Sequence, residues 1–208
     1  MTGIRKTIFG TTAAAAFLAA LSAQASVVDE WASVQRPPAP TLKPVKVDPK
    51  TTALLMLDFM NQNCGKRPRC LASIPGVKKL LEAARAAKAP VVYSIIAKTT
   101  TADVIKDVAP AANEPHVQAG PDKFLHTDLE KILKDRGITT VITVGTSANG
   151  AVLFTAAGAA FRGMNVIVPV DGMSSVEAYA DLTTAWTFIN APLLAPKTTL
   201  TKTDMISF

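Results

Sequence analysis

The sequence predicts an α/β fold, a three-layer, doubly wound structure in which a mainly parallel sheet carries helices on both faces. Short apolar runs alternate along the chain with segments of helical periodicity. Strands that alternate with helices form βαβ units, whose crossovers require parallel strands. The composition agrees, because 49% hydrophobic and 18% charged residues favour a packed core over a disordered chain.

Four apolar runs and a fifth, threonine-rich run are predicted to form the strands. The first run ends at Asp58 and the second is rich in β-branched residues. Short apolar runs bounded by turn residues are typical of buried strands. The predicted strands span residues 52–57, 90–96, 139–144, 165–170 and 198–203.

Two helices are predicted in the first half of the domain. The first covers residues 74–87, where apolar side chains recur at helical spacing and Pro75 lies near the start. The second begins at Thr127, which caps it together with Glu130 in a capping box, and Gly137 forms its C-cap.

Two further helices and one long loop complete the predicted order. Residues 151–162 form a helix of small residues, and the last helix runs from a cap at Ser174 or Ser175 to about Ile189. Residues 99–121 are predicted to be an irregular loop with one short helical turn. Long loops in compact domains are commonly functional.

The N-terminus is typical of a secretory signal peptide. Arg5 and Lys6 provide a charged start, residues 7–21 are apolar or small, and Ala23-Gln24-Ala25 is a cleavage-type tripeptide. The alternative is an uncleaved anchor, but the apolar stretch is short for a span of about 20 residues. We therefore predict cleavage after Ala25, a secreted or periplasmic location, and no membrane attachment of the mature chain.

The remaining chain is predicted to contain an arm and one domain. The arm covers residues 26–50 and is extended, because the prolines between Pro37 and Pro44 disfavour helix and central strand. The domain covers residues 51–208. The net charge of +6 is small, and no basic-aromatic stripe is present, which excludes a nucleic-acid surface.

Cys64 and Cys70 are the two cysteines of the sequence. An oxidising compartment permits a disulfide between them, and the intervening loop is short and contains Gly and Pro. The alternatives are two free thiols or a metal pair. Metal binding is disfavoured, because no further Cys or His lies near in sequence. We expect a disulfide that holds a loop, and no metal site.

Asp58 and the segment 145–151 are the candidate residues for chemistry. Both follow predicted strands, and in parallel sheets the ligand lies beyond the carboxyl ends of the strands. The alternative for Asp58 is a turn or capping residue. The small residues of 145–151 expose backbone N–H groups that can hold an oxyanion. The segment matches neither a phosphate loop, nor a Rossmann fingerprint, nor a nucleophile elbow, so we expect no cofactor.

Several motifs in sequence order resemble those of isochorismatase-like cysteine hydrolases. The central one is Gly145-Thr146-Ser147-Ala148-Asn149-Gly150-Ala151, followed by residues 159–168 and by Asp171-Gly172-Met173-Ser174-Ser175. The strand ending at Asp58 and the segment Phe124–Leu129 resemble further family motifs. This resemblance implies the family's α/β fold and its hydrolysis of amides by an Asp, a Lys and a Cys, or of vinyl ethers in isochorismatases.

Carried over by position, the resemblance implies a site with one element missing. Asp58 matches the catalytic Asp, and Ala151 occupies the position of the nucleophilic Cys, so the covalent route is lost. The Lys is expected to be Lys123, with Lys98 and Lys106 as alternatives.

The resemblance also implies an oxyanion hole in the turn before Ala151. The cis peptide is expected at Ser147-Ala148, with the N–H groups of Ala148 and Ala151 as oxyanion donors and Asn149 beside them. His116 and His126, the two histidines of the sequence, are too far apart for the family's metal site.

Three functions follow from these residues. The first is an exported hydrolase that uses Asp58 directly on an amide or enol-ether small molecule. The second is a pseudoenzyme that binds a small molecule without turnover. The third is a structural subunit of a homo-oligomer. A cation beside Asp58 would favour catalysis, whereas an apolar pocket, or an Asp58 bonded to backbone N–H groups alone, would favour binding.

Overall fold

The computed structural model describes residues 26–208, which fall into two units, one that ends at Pro38 and one that begins at Ala39. The described part of the first unit contains a short helix, α1, Val27–Glu30, and the backbone N–H of Ser26 donates to the Asp29 carboxylate at 3.0 Å. The predicted arm is therefore helical for one turn before its prolines begin. The predicted signal peptide lies outside the described residues.

A seven-stranded sheet organises the second unit. Its strands are β2 Thr52–Leu57, β3 Val91–Ile95, β4 His116–Gln118, β5 Thr140–Thr146, β6 Asn165–Pro169, β7 Met173–Ser174 and β8 Thr198–Thr201. Their order is β4-β3-β2-β5-β6-β8, with β7 pairing beside β5, and all of these pairings are parallel. The prediction of a mainly parallel sheet is therefore confirmed.

Two hydrophobic clusters, one on each face of the sheet, form the core. Alternate residues of β2 point to opposite faces, so that Leu55 joins one cluster and Leu54 the other. The Leu55 cluster packs against α3, α4 and α5, and the Leu54 cluster packs against α2. This arrangement confirms the three-layer prediction. The helices are α2 Pro68–Ala86, α3 Leu129–Lys134, α4 Leu153–Phe161 and α5 Ala178–Asn190.

Two helix starts differ from their prediction. Helix α2 begins at Pro68, well before Pro75, because a proline in the first turn loses no helical hydrogen bond. Helix α5 begins at Ala178 and not after a cap at Ser174 or Ser175. The chain at Ser174 is instead drawn into the sheet, where it pairs with the extended end of β5.

The capping box predicted for α3 is also wrong. The helix begins at Leu129, whose backbone N–H donates to the hydroxyl of Thr127 at 3.1 Å. Glu130 does not complete the box, because its carboxylate pairs with Lys134 and with Arg162, the residue directly after α4. This ion-pair group ties α3 to α4.

The predicted loop 99–121 contains more structure than expected. Two 3₁₀ turns cover Thr101–Asp103 and Lys106–Val108, and β4 adds a strand at the edge of the sheet. Strand β4 is only three residues long and directly follows Pro115, a position where proline is tolerated because it lies at the start of an edge strand. A strand this short has no periodicity to reveal it.

The two ends of the second unit meet in a separate small sheet. Strand β1, Val45–Lys46, pairs in parallel with β9, Ile206–Ser207. Phe208 packs against the core cluster around Leu54. Across residues 26–208, none of the helices combines the length and apolarity needed to span a membrane.

Candidate functional site

The site forms where three parallel strands end side by side. Leu57 at the end of β2 is in register with Ser94 of β3 and with Gly145 of β5. Asp58 and Thr146, each the next residue along the chain, therefore emerge at the same edge. Two of the expected segments meet here, as the parallel topology requires.

Gly145 permits the close approach of β5 to β2 beside the site. Its φ is +146°, and a Cβ at this position would lie 2.1 Å from the carbonyl oxygen of Leu57. A side chain would therefore separate the two strands. The glycine is needed to bring the segment after β5 next to Asp58.

An ion-pair cluster of Asp58, Ser94 and Lys123 lies at this edge. The Asp58 Oδ2 accepts from the Lys123 Nζ at 2.7 Å, and its Oδ1 accepts from the Ser94 hydroxyl at 2.7 Å. Lys123 is 1% exposed and Asp58 5%. Buried charges are stable only when paired and hydrogen-bonded, and both carboxylate oxygens here have a donor.

Helix α4 holds Lys123 in place. The Thr155 hydroxyl accepts from the Lys123 backbone N–H and donates to the carbonyl of Pro121, both at 3.3 Å. The neighbouring Phe124 packs against Gly158, where a Cβ would come within 2.9 Å of the ring. The Arg162 guanidinium lies over the same ring, 4.4 Å from its centroid.

The alternative lysines do not reach Asp58. Lys98 and Lys106 are both exposed, and neither contacts the cluster. Of the three candidates, the structure brings Lys123 to the carboxylate. Its position directly before the aromatic Phe124 was the signal in the sequence.

A cavity of about 560 Å³ opens beside the cluster. Asp58, Arg67 and Ala151 are among the residues that line it. The loop before Lys123 supplies another part of the wall. The lining residues are Asp58, Asn63, Arg67, Ile96, Ala97, Gln118, Ala119, Gly120, Pro121, Thr146, Ser147, Gly150 and Ala151.

The small-residue turn, residues 146–151, forms the opposite wall. The cis peptide lies between Thr146 and Ser147, one bond earlier than expected, so the expectation of a cis bond at Ser147-Ala148 is wrong. A π-helical turn, Ala148–Val152, follows and leads into α4. Gly150 leaves room for Ser147, since a Cβ there would lie 2.6 Å from the Ser147 hydroxyl oxygen.

The structure brings only part of the expected oxyanion group to the cavity. Ser147 and Ala151 line it, and Ala151 is 4% exposed. Ala148 is buried away from it, and the amide of Asn149 accepts from the Ser175 hydroxyl at 3.2 Å. Of the turn, Thr146, Ser147, Gly150 and Ala151 line the cavity, whereas Ala148 and Asn149 do not.

Cys64 and Cys70 form a disulfide that encloses Arg67. The Arg67 Nη1 donates to the Thr146 hydroxyl at 3.0 Å, and this hydroxyl donates to the carbonyl of Ser174 at 3.0 Å. Sequence reasoning missed both Arg67 and Ser94. A polar residue within the apolar run 91–95 was the one signal for Ser94, and Arg67 gave none beyond its place between the cysteines.

Other polar residues considered earlier lie elsewhere. Asp171 accepts hydrogen bonds from the backbone N–H and the hydroxyl of Thr203, which is a structural role. His116 and His126 are exposed and do not line the cavity. Within the described part of the chain, no group of three or more His, Cys, Asp or Glu residues could hold a metal ion.

These contacts define the chemistry that the site can perform. The paired carboxylate and ammonium can hold a proton and transfer it within the cavity, and the turn can hold an oxygen that gains negative charge. The methyl group of Ala151 offers no nucleophile. The fold and the site together thus define a doubly wound α/β protein with a buried carboxylate–ammonium pair beside a cavity.

Comparison with known proteins identifies the family. The isochorismatase domain model matches residues 52–200, and the chain belongs to this family. A secreted isochorismatase effector of Verticillium dahliae is 33% identical over 113 residues, which cover 49% of this chain and 60% of the relative.

Solved structures share the fold. A cysteine hydrolase of Pseudomonas syringae pv. phaseolicola superposes with a TM-score of 0.68 at 22% identity, over 80% of this chain and 95% of its own. An isochorismatase-like hydrolase of Alkaliphilus metalliredigens has a TM-score of 0.67 at 27% identity, over 74% of this chain and 95% of its own. An N-carbamoylsarcosine amidase of Thermoplasma acidophilum has a TM-score of 0.64 at 23% identity, over 74% of this chain and 97% of its own.

Proposed function

We propose that this protein is an exported hydrolase that cleaves an enol ether by acid–base catalysis without a covalent intermediate. The observation that carries the proposal is the buried Asp58–Lys123 ion pair, which lies beside a cavity in which Ala151 replaces a nucleophile. The Asp58 and Lys123 side chains supply the proton transfers. The turn at Ser147 and Ala151 binds the substrate.

The charge arrangement favours catalysis over simple binding. Taking two charges out of water costs several kcal/mol per ion, so a pocket that only binds a ligand has no need of such a pair. Asp58 accepts from two side chains, Ser94 and Lys123, which leaves its carboxylate fixed beside the cavity. A fixed acid–base pair at a cavity is what proton transfer requires.

The missing thiol selects the bond that is broken. Amide hydrolysis in the covalent route needs a strong nucleophile, and the methyl group of Ala151 cannot supply one. An enol ether is activated differently: a proton from the Asp58–Lys123 pair adds to the terminal CH₂ carbon and gives an oxocarbenium ion. Water then adds to the carbon of this ion that bears the ether oxygen, and gives up a proton to the pair. The resulting hemiketal collapses to a ketone and an alcohol.

Export is supported by independent observations. Residues 1–25 have a signal-peptide pattern, and the Cys64–Cys70 disulfide suits an oxidising compartment. The relative from Verticillium dahliae is a secreted protein. We propose cleavage after Ala25, with residues 26–50 as an arm and residues 51–208 as the domain.

We also propose that the exported protein assembles into a homo-oligomer. Helices α4 and α5 expose the large apolar side chains of Phe154, Phe161, Trp186 and Ile189. Apolar surface of this kind is typical of an interface. Analytical ultracentrifugation tests the proposal, which a monomer at all concentrations would contradict.

The decisive experiment compares one enol ether with two amides. The purified protein is assayed for release of pyruvate from 2-ethoxyacrylate, and for release of ammonia from nicotinamide and from an N-carbamoyl amine. We expect hydrolysis of the enol ether only. Asp58→Asn should lower this rate by about 10² to 10⁴, the usual contribution of a positioned acid or base.

Two further variants complete the experiment. Asp107→Asn, an exposed carboxylate outside the cavity that pairs with Lys78, is the matched control and should keep the full rate. Ala151→Cys should gain activity on the amides. If the wild type hydrolyses none of the three compounds but binds 2-ethoxyacrylate, the protein is a binding protein and the proposal is wrong.

A further inference from the structure

We infer that Arg67 is the residue that selects a carboxylate-bearing substrate, and that the Cys64–Cys70 disulfide holds it in the binding position. The inference rests on the proposed function, since it assigns the recognition of the substrate in the same cavity. It adds a specificity-determining residue that lies outside the acid–base pair and outside the turn.

The charges around the cavity leave one cation without a counter-ion. Asp58 and Lys123 neutralise each other. Arg67 lines the cavity and has no carboxylate within ion-pair distance among residues 26–208. The cavity therefore carries a surplus positive charge, which an anionic ligand would balance.

The geometry of the guanidinium favours a carboxylate. Arginine presents five N–H donors in a planar fork, and among residues 26–208 the Arg67 side chain donates only through Nη1, to the Thr146 hydroxyl at 3.0 Å. The remaining donors fit the two oxygens of a carboxylate in a bidentate pair. Arg67 is bonded to Thr146, which directly precedes Ser147. A carboxylate bound by Arg67 would therefore lie next to the turn that binds the substrate.

The disulfide restricts the segment that carries Arg67. The bridge closes a loop of only six residues in sequence separation, and both cysteines are fully buried. Within the loop, the Arg67 backbone N–H donates to the carbonyl of Cys64 at 2.9 Å. Opening the bridge would leave Arg67 in a freer segment ahead of α2, so that binding the anion would cost more conformational entropy.

Calorimetric titration with a ligand that is not turned over tests the anchor. The probes are 2-ethoxypropanoate, which has no enol carbon to protonate, and its neutral methyl ester. We expect Arg67→Gln to weaken binding of the carboxylate about tenfold or more, and binding of the ester hardly at all. Arg67→Lys should restore part of the affinity, since it returns the charge without the fork.

Arg69→Gln is the matched control. Arg69 lies in the same loop, but it pairs with Asp181 at the surface and does not line the cavity. This variant should bind both probes as the wild type does. An Arg67→Gln variant that binds the carboxylate with unchanged affinity, or that loses both probes equally, would overturn the inference.

The contribution of the disulfide is tested with a double variant, Cys64→Ala with Cys70→Ala. Thermal unfolding first identifies conditions under which it remains folded. There, binding of 2-ethoxypropanoate should weaken while binding of the ester changes little. Unchanged affinity of the folded double variant for the carboxylate would overturn the role assigned to the bridge.

The two proposals fail in different ways. If no enol ether is hydrolysed while binding of the carboxylate still depends on Arg67, the proposed reaction is wrong and the anchor stands. If 2-ethoxyacrylate is hydrolysed with the same KM by Arg67→Gln and wild type, the reaction stands and the anchor is wrong.

Discussion

The ion-pair cluster and the small-residue turn face the same cavity but are stabilised by different forces. The cluster places two full charges in the interior, and each Asp58 oxygen accepts a hydrogen bond. The turn holds only small side chains and backbone groups, and Ala151 contributes a methyl group. One wall depends on charge pairing, whereas the other depends on close packing.

This difference is consistent with the loss of a thiol that we propose at position 151 beside an intact ion pair. Replacing a thiol by a methyl group at Ala151 leaves no charge unpaired, so it costs little stability. Removing either member of the ion pair leaves a buried charge without a partner, which is among the most destabilising changes in a protein. The cluster is therefore constrained by stability as well as by function.

The largest effect is expected for Asp58→Asn. Asparagine tolerates the positive φ of 56° at this position, so the variant mainly removes the charge and strands the Lys123 ammonium. We expect a loss of about 3–5 kcal/mol in the free energy of unfolding. Urea denaturation measures it, and adding Lys123→Met should restore part of the loss. If the double variant loses as much unfolding free energy as Asp58→Asn alone, the destabilisation comes from altered packing and not from the unpaired charge of Lys123.

A smaller effect is expected for Ser94→Ala. Its hydroxyl donates to a charged carboxylate, and such hydrogen bonds contribute about 1.5–3 kcal/mol. Ser73→Ala is the control, because that hydroxyl is also buried but donates to the neutral carbonyl of Cys70. We expect the control to lose about 1 kcal/mol in the same urea denaturation. Equal losses would mean that the charge of Asp58 does not strengthen the bond.

On the turn side, Ala151→Cys should change stability by less than about 1 kcal/mol, because the new sulfur extends into the cavity. The new thiol should react with iodoacetamide in the native protein. Ala156→Cys, in helix α4 directly after the turn and fully buried, should not react until the protein unfolds. Mass spectrometry measures the fraction of each variant that iodoacetamide has alkylated in the native protein. A protected thiol at position 151 would place this side chain away from the ligand.

The smallest effect is a loss of stability at low pH, caused by the ion pairs of Glu130 with Arg162 and Lys134. Hydrogen bonds from Arg162 and then Lys134 lower the pKa of Glu130 from its ordinary value of 4.5 to about 2. A carboxyl whose pKa is lower in the folded state stabilises the protein fully above the unfolded value and loses this contribution as the pH falls. The loss should occur between about pH 4.5 and 2. Across this range, the Tm of Glu130→Gln should fall less steeply with decreasing pH than the Tm of the wild type. Equal slopes of Tm against pH in the two proteins would contradict a stabilising role of these ion pairs.

Much of the fold was readable from local pattern. Strand β2 has the predicted bounds, and Asp58 lies at its end, because a buried parallel strand is a continuous apolar run. The meeting of Asp58 with the turn after β5 followed from the shared direction of parallel strands. Family resemblance pointed to Lys123, and the sequence alone left Lys98 and Lys106 open.

The unpredicted parts depend on contacts that are distant in sequence. Ser94 reaches Asp58 through the register of β2 with β3, and Arg67 reaches Thr146 across 79 residues. Strand β4 is too short to show a period. The capping box at Glu130 failed because Arg162, 32 residues away, competes for the same carboxylate. In each case a long-range partner overrode the local signal.

The pairing of β1 with β9 has a practical consequence for handling the protein. Residues 45–46 and 206–207 lie side by side, and Phe208 packs against the hydrophobic core. The same proximity makes the domain a candidate for circular permutation, in which a short peptide joins position 208 to the beginning of β1 and new ends are opened elsewhere.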